Sequence, residues 1–167
     1  MKNLLFLSGI ILALLLGSCA TNPTDYSTAI VNQVSSVITE KDNLLTLLQE
    51  QKFDEVQAAL DRGKKRTQSA LRKLQRMSAF RGDDGLRLAA IDFVSFYDRL
   101  FSNEEILKVA DFAKRGEKFS IDENERLFQV LSNIFEEENA VTIKLVNEHN
   151  AFIQKYGLLR FDYFQPR

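Results

Sequence analysis

Apolar residues recur along this chain at spacings of three and four, without strand-like alternation, so the pattern reads as helical almost throughout. The first helix is expected from about Asp25 to Gln51, with Ile30, Val34, Val37, Leu44 and Leu48 on one stripe. A second opens at Asp54, where Asp54-Glu55-Val56-Gln57 offers capping side chains. It runs to about Met77 through Val56, Leu60, Gly63, Thr67, Leu71 and Leu74. Few turn residues separate the two, which predicts a tight antiparallel connection. The turn Ser78 to Asp83 leads to a third helix with Leu86, Ala89, Ala90, Phe93, Phe96, Tyr97 and Leu100 inward.

The next apolar set, Ile106, Val109, Ala110 and Ala113, falls on the opposite side of a straight continuation of that helix at about 100° per residue. The helix is therefore expected to break at Ser102-Asn103, to restart as a short segment through a Ser102/Glu105 capping box, and to close at Lys114-Arg115-Gly116. The last helix starts at a capping box of Ser120 and Glu123, carries Asp122 and Glu125 at its positive end, and stops at Gly157. Its stripe reads Leu127, Leu131, Ile134, Val141, Leu145, Phe152 and Tyr156. The expected fold is all-α: an antiparallel four-helix bundle with a short extra helix between the third and fourth. A looser helical array is the alternative.

The start of the chain follows a different pattern. A single Lys2 precedes the apolar run Leu4 to Leu16, which at 13 residues is shorter than the roughly 20 needed to span a membrane. A basic start, a short apolar run and small residues after it match a secretory signal peptide. Leu16-Gly17-Ser18-Cys19 resembles the bacterial lipobox. That resemblance implies cleavage after Ser18, a thioether-linked lipid on Cys19 and acylation of the new amine. Two or more chains anchor stably, whereas one binds only marginally. The competing reading is a leftover buried Cys behind an ordinary signal peptide. The expected organisation is a signal peptide over 1–18, lipidated Cys19 and a linker over 19–24 broken at Pro23, and a helical-bundle domain over 25–167.

Composition narrows the function classes. Removing 18 of 167 residues leaves 149, a usual size for one domain. Loss of Lys2 takes the net charge from −1 to −2, so no bulk basic charge points to nucleic acid. Cys19 is the only cysteine, so no disulfide is expected.

DYSTAIVNQVSSVI (Asp25 to Ile38), AFRGDDGLRLAAIDFVSFYDRLF (Ala79 to Phe101) and NAFIQKYGL (Asn150 to Leu158) resemble a family of uncharacterised surface lipoproteins, helical bundles first described in spirochaetes. The resemblance implies a lipid-anchored helical domain and carries over no active-site residue.

Two polar residues interrupt the stripes: Lys41 on the first helix and Glu138 on the last. With Asp25 level with Tyr156 in an antiparallel pair, Lys41 faces about position 140, and Gln33 comes level with His149. Two polar layers are expected, Lys41 with Glu138 and Gln33 with His149, because an isolated buried charge is too costly to persist. They either fix helix register or form a proton-handling or ligand site; a wrong register would leave them in solvent.

His149 is the only histidine, and neither a paired Glu-x-x-His set nor a Cys-x-x-Cys-His motif occurs. No metal or cofactor is expected. Without a free Cys, a recognisable Ser-His frame or a glycine-rich phosphate loop, no enzyme activity is expected either.

Seven cations, Arg62, Lys64, Lys65, Arg66, Arg72, Lys73 and Arg76, lie mostly opposite the apolar stripe of the second helix, with only Asp61 among them. They form either a solvated face or a docking face, centred on Arg62, Lys65, Arg72 and Arg76, for anionic lipid or an acidic partner. The terminal GLLRFDYFQPR either packs back on the bundle or forms an aromatic hook. The reading that results is a lipid-anchored binding or scaffolding module of the bacterial envelope. It would be held to the membrane by acyl chains on Cys19 and act on an envelope protein or anionic lipid. Sequestration of a small apolar ligand within the bundle is the alternative. Ala20, after the modified Cys, resembles the pattern that sorts lipoproteins to the outer membrane.

Overall fold

The computed structural model describes residues 22–115 and 120–158. Among them are five α-helices and no strand: α1 (Pro23–Gln49), α2 (Val56–Arg76), α3 (Gly85–Phe101), α4 (Glu104–Arg115) and α5 (Ile121–Tyr156). A 3₁₀ turn, Phe53–Glu55, precedes α2. The fold is an all-α helical bundle.

Helix boundaries follow local chemistry, with three departures from expectation. Asn22 caps α1 by accepting the Thr24 N–H at 2.8 Å. Pro23 is therefore the first helical residue, where its missing N–H costs nothing, and not a break in a linker. Asp54 does not cap α2, whose start makes no side-chain capping bond; the 3₁₀ turn supplies the entry, and Asp54 pairs instead with Lys114 of α4. Ser102 does not restart α4: Asn103 Oδ1 accepts the Glu105 N–H at 3.0 Å, and the Glu105 carboxylate turns to Lys108 and Arg126. The Ser120/Glu123 capping box of α5 forms as expected, and Gly157 ends the helix with φ 64°, a left-handed conformation that glycine adopts freely.

Successive long helices run antiparallel, α1 on α2, α2 on α3 and α3 on α5. The ring closes where α1 and α5 meet, with Tyr26 stacked on Phe152 at one level and Lys41 against Glu138 at another. α1 and α3 touch across the middle, so α2 and α5 occupy opposite corners. Their shared core includes Ile30, Val34, Val37, Leu60, Leu74, Leu86, Phe93, Tyr97 and Leu145. The α2/α3 approach is close because Gly63 has no side chain: a Cβ there would fall 2.5 Å from the Phe101 ring.

The end of the bundle nearest Asn22 carries the start of α1, the end of α2, the start of α3 and the end of α5. Tyr26, Phe80, Phe152 and Tyr156 form an aromatic cluster there, with centroids 4.6–5.7 Å apart. At the other end α4 folds over the 3₁₀ turn and α2, burying Ala110. α5 continues past that end. Tyr97 and Arg99, near the end of α3, meet Glu138 and Glu137, so residues 121–133 run past the ends of α1 and α3, where α4 accompanies them on one side: Arg126 pairs with Glu105, and Leu127 and Val130 are half-buried. At about 1.5 Å per residue the projection is about 20 Å long. This corrects the expected α5 stripe: Leu131 is 54% exposed, while Leu127 and Ile134 of the same stripe are half-buried.

Candidate functional site

The basic face of α2 is the most distinct surface feature. Val56, Ala59, Leu60, Gly63, Thr67, Ala70 and Leu74 are buried, which turns the intervening cations outward. All seven, including Arg62, Lys65, Arg72 and Arg76, are exposed. Among the described residues only Arg66 is drawn into an ion pair, with Glu40 of α1 at 3.8 Å. Asp61, the one acid among them, accepts from Gln57. Arg62, Lys65, Arg72 and Arg76 stand within an arc of about 80° along about 20 Å, from Arg62 near the far end to Arg76 at the end nearest Asn22, with Lys64 and Lys73 flanking them.

Inside the bundle the expected polar layers resolve differently. Lys41 Nζ lies 3.5 Å from Glu138 Oε1, with both side chains about a third exposed. The same oxygen accepts the buried Tyr97 hydroxyl at 2.5 Å, a partner that the stripe pattern did not reveal. Burial, then the hydrogen bond to Glu138, raises the Tyr97 phenol far above its ordinary range, so it remains a donor.

Gln33 and His149 do not meet. Gln33 Nε2 donates to the Ala29 carbonyl at 3.4 Å on its own helix, whereas His149 Nε2 lies 3.2 Å from Ser27 Oγ. Helical geometry explains the correction. Ser27 sits two turns before Val34, within about 20° of its direction, while Gln33 is turned about 100° away from it. A small hydroxyl inside an apolar stripe gave no sequence signal of its own.

Ser27 and His149 form a hydroxyl–imidazole pair that sequence reading did not anticipate, and its surroundings define what it can do. Both residues are buried, at 7% and 5% exposure. Burial pushes the His149 pKa down, which favours the neutral ring. The pair joins α1 to α5 through the core and does not open to solvent.

A second polar cluster tightens the end nearest Asn22. Arg87 grips both carboxylate oxygens of Asp84 at 2.5 Å, and Lys155 Nζ donates to Asp83 at 2.8 Å. These contacts hold Asp83 and Asp84 below the usual carboxylate range. The Phe80-Arg81-Gly82-Asp83 turn, with Arg81 and Gly82 at positive φ, presents Asp83 there. Beneath it the buried Tyr26 hydroxyl has no well-formed hydrogen bond among the described residues, though the Phe80 backbone lies beside it.

Two sequence features fall outside the described residues: Cys19 with its lipobox, and all of the terminal apolar segment except Gly157 and Leu158. Leu158 packs half-buried against the core. Among the described residues no group of three or more His, Cys, Asp or Glu is arranged to hold a metal ion, and no helix is long and apolar enough to cross a membrane.

Comparison with protein-family models, curated proteins and solved structures finds no match to this chain. The resemblance to spirochaete-type surface lipoproteins therefore rests on the three quoted segments alone.

Proposed function

We propose that this protein is a lipid-anchored binding module of the bacterial envelope, tethered through acyl chains on Cys19 and docked through α2 on anionic headgroups of the same membrane. The observation that carries the docking is the aligned set Arg62, Lys65, Arg72 and Arg76 on exposed α2, flanked by Lys64 and Lys73, with no acidic partner within 4 Å among the described residues.

Placement favours a membrane over a distant acidic partner. Cys19 precedes the α1 cap by three residues, a reach of about 10 Å. Arg72, Lys73 and Arg76 sit at the end of α2 beside that cap, because α2 runs antiparallel to α1. A tether that short lets the bundle lie down with α2 on the leaflet, which turns the opposite corner, α5, outward. Each near-surface cation adds about 1 kcal/mol on an anionic leaflet. The anchor itself rests on Leu16-Gly17-Ser18-Cys19, and the surface-lipoprotein resemblance agrees with it.

Vesicle co-sedimentation of the domain from Thr21 onward, without its anchor, tests the docking. Binding to phosphatidylglycerol vesicles and not phosphatidylcholine, weakening between about 0.05 and 0.5 M salt, is expected. Charge reversal at Arg62, Lys65, Arg72 and Arg76 should abolish it. Equal binding to both lipids, or binding that survives charge reversal, would refute the docking face.

A further inference from the structure

The part of α5 that projects beyond the bundle carries an uncovered apolar stripe. Ile121 is 84% exposed, Phe128 68%, Leu131 54% and Phe135 71%. At about 100° per residue all four lie within an arc of about 80°. Isolated exposed apolar residues need no explanation, but four large ones aligned over four turns form a docking surface. The basic face of α2 does not account for it, since α2 and α5 stand at opposite corners.

Two occupants fail on geometry and charge. The terminal residues 159–167 leave the helix 30 residues from Phe128, about 45 Å along α5, and nine extended residues reach only about 31 Å. An anionic leaflet is disfavoured because Asp122, Glu123, Glu125, Glu136 and Glu137 crowd the same stretch, with Arg126 as the single cation.

We propose that the stripe is a homodimer interface, with the projecting half of α5 packing antiparallel on α5 of a second copy. The pattern is self-complementary. A two-fold axis between Phe128 and Leu131 sets Phe128 of each copy on Leu131 of the other, and brings each Phe135 to the other's Ile121–Asn124 turn. The residues beside the stripe are Glu125, Ser132 and Asn139 on one edge and Glu138, Leu127 and Ile134 on the other; Glu138 is already held by Tyr97 and Lys41, which leaves Glu125 as the uncommitted charge per copy at the seam. Four large side chains supply about 500 Å² of apolar surface per copy. A pair then buries about 1,000 Å², the lower bound for a specific interface and the size of a weak, reversible one. Confinement of both copies to one membrane would raise their effective concentration further.

Cross-linking of the full chain in its own membrane tests this. Ser132→Cys lies beside the proposed axis without altering the stripe, and Gln75→Cys on exposed α2 is the control. A short bismaleimide should give a homodimer with Ser132→Cys and not with Gln75→Cys or the unsubstituted chain. Adding Phe128→Asp should lower the dimer fraction about tenfold or more, with the melting temperature unchanged because Phe128 is exposed. The proposal is overturned if the Ser132→Cys chain labels with a monofunctional maleimide yet gives no dimer, if the dimer persists with Phe128→Asp, or if the cross-linked mass is that of a different protein.

Discussion

Removal of the Tyr97 hydroxyl, of the Glu138 carboxylate, and of both, gives the sharpest test of the interior. Tyr97 is 1% exposed and donates to a carboxylate that is also held by Lys41. In Glu138→Leu the hydroxyl is left buried without its acceptor, at a cost of about 1–3 kcal/mol. The accompanying loss of the Lys41 pair adds little, because both partners are about a third exposed and such pairs are worth at most about 1 kcal/mol. Tyr97→Phe removes the donor and leaves Glu138 with Lys41 and water, costing about 1 kcal/mol. The double variant has neither an orphaned hydroxyl nor a lost bond to count twice. Its destabilisation should fall short of the sum of the singles by about 1–2 kcal/mol. Urea unfolding followed by far-UV circular dichroism measures all four chains, with Lys41→Met as a fifth that should change stability least. Additivity to within about 0.5 kcal/mol would refute the shared polar layer.

Other consequences follow from single residues. Burial lowers the His149 pKa below its ordinary 6.5, so the unfolded chain binds the proton more tightly and stability falls as pH drops through that value toward the folded pKa. The slope should not exceed about 1.4 kcal/mol per pH unit, and it should flatten in His149→Phe. Asp83 and Asp84, also depressed, lose their contribution only near and below their ordinary 3.8, outside that window; an unfolding free energy flat between about pH 7 and pH 5 contradicts the buried neutral ring. Gly63→Ala brings a methyl against Phe101, and the overpacking cost of about 1–3 kcal/mol should outweigh the gain in helix propensity of about 1 kcal/mol. A stabilised variant would show that α2 and α3 are farther apart. Tyr26→Phe deletes a buried hydroxyl that has no well-formed hydrogen bond among the described residues and should raise stability by up to about 1 kcal/mol, whereas a loss would show that its contact with the Phe80 backbone is a true hydrogen bond.

Periodicity and capping chemistry make the helices legible in the sequence. Each long helix announces its inward face at three-and-four spacing, and Ser120 with Glu123 marks the start of α5. The level of Lys41 with Glu138 also followed, because antiparallel register needs only one fixed point and a rise per residue. What the pattern could not supply was the lateral angle between helices. That angle pairs His149 with Ser27 and leaves Gln33 on its own backbone. Asp83 and Asp84 read as turn residues, and nothing local indicates that Lys155, 72 positions away, meets the first of them. The same limit explains Leu131: periodicity groups side chains on a face but does not say whether another helix stands opposite.

Intact-mass spectrometry of the chain extracted gently from its own membrane bears most directly on the central claim that Cys19 tethers the bundle. The expected product is a polypeptide that begins at Cys19 and carries a thioether-linked lipid and an acylated amine. A chain retaining Met1 to Ser18, or one cleaved elsewhere with Cys19 as a free thiol, would contradict it.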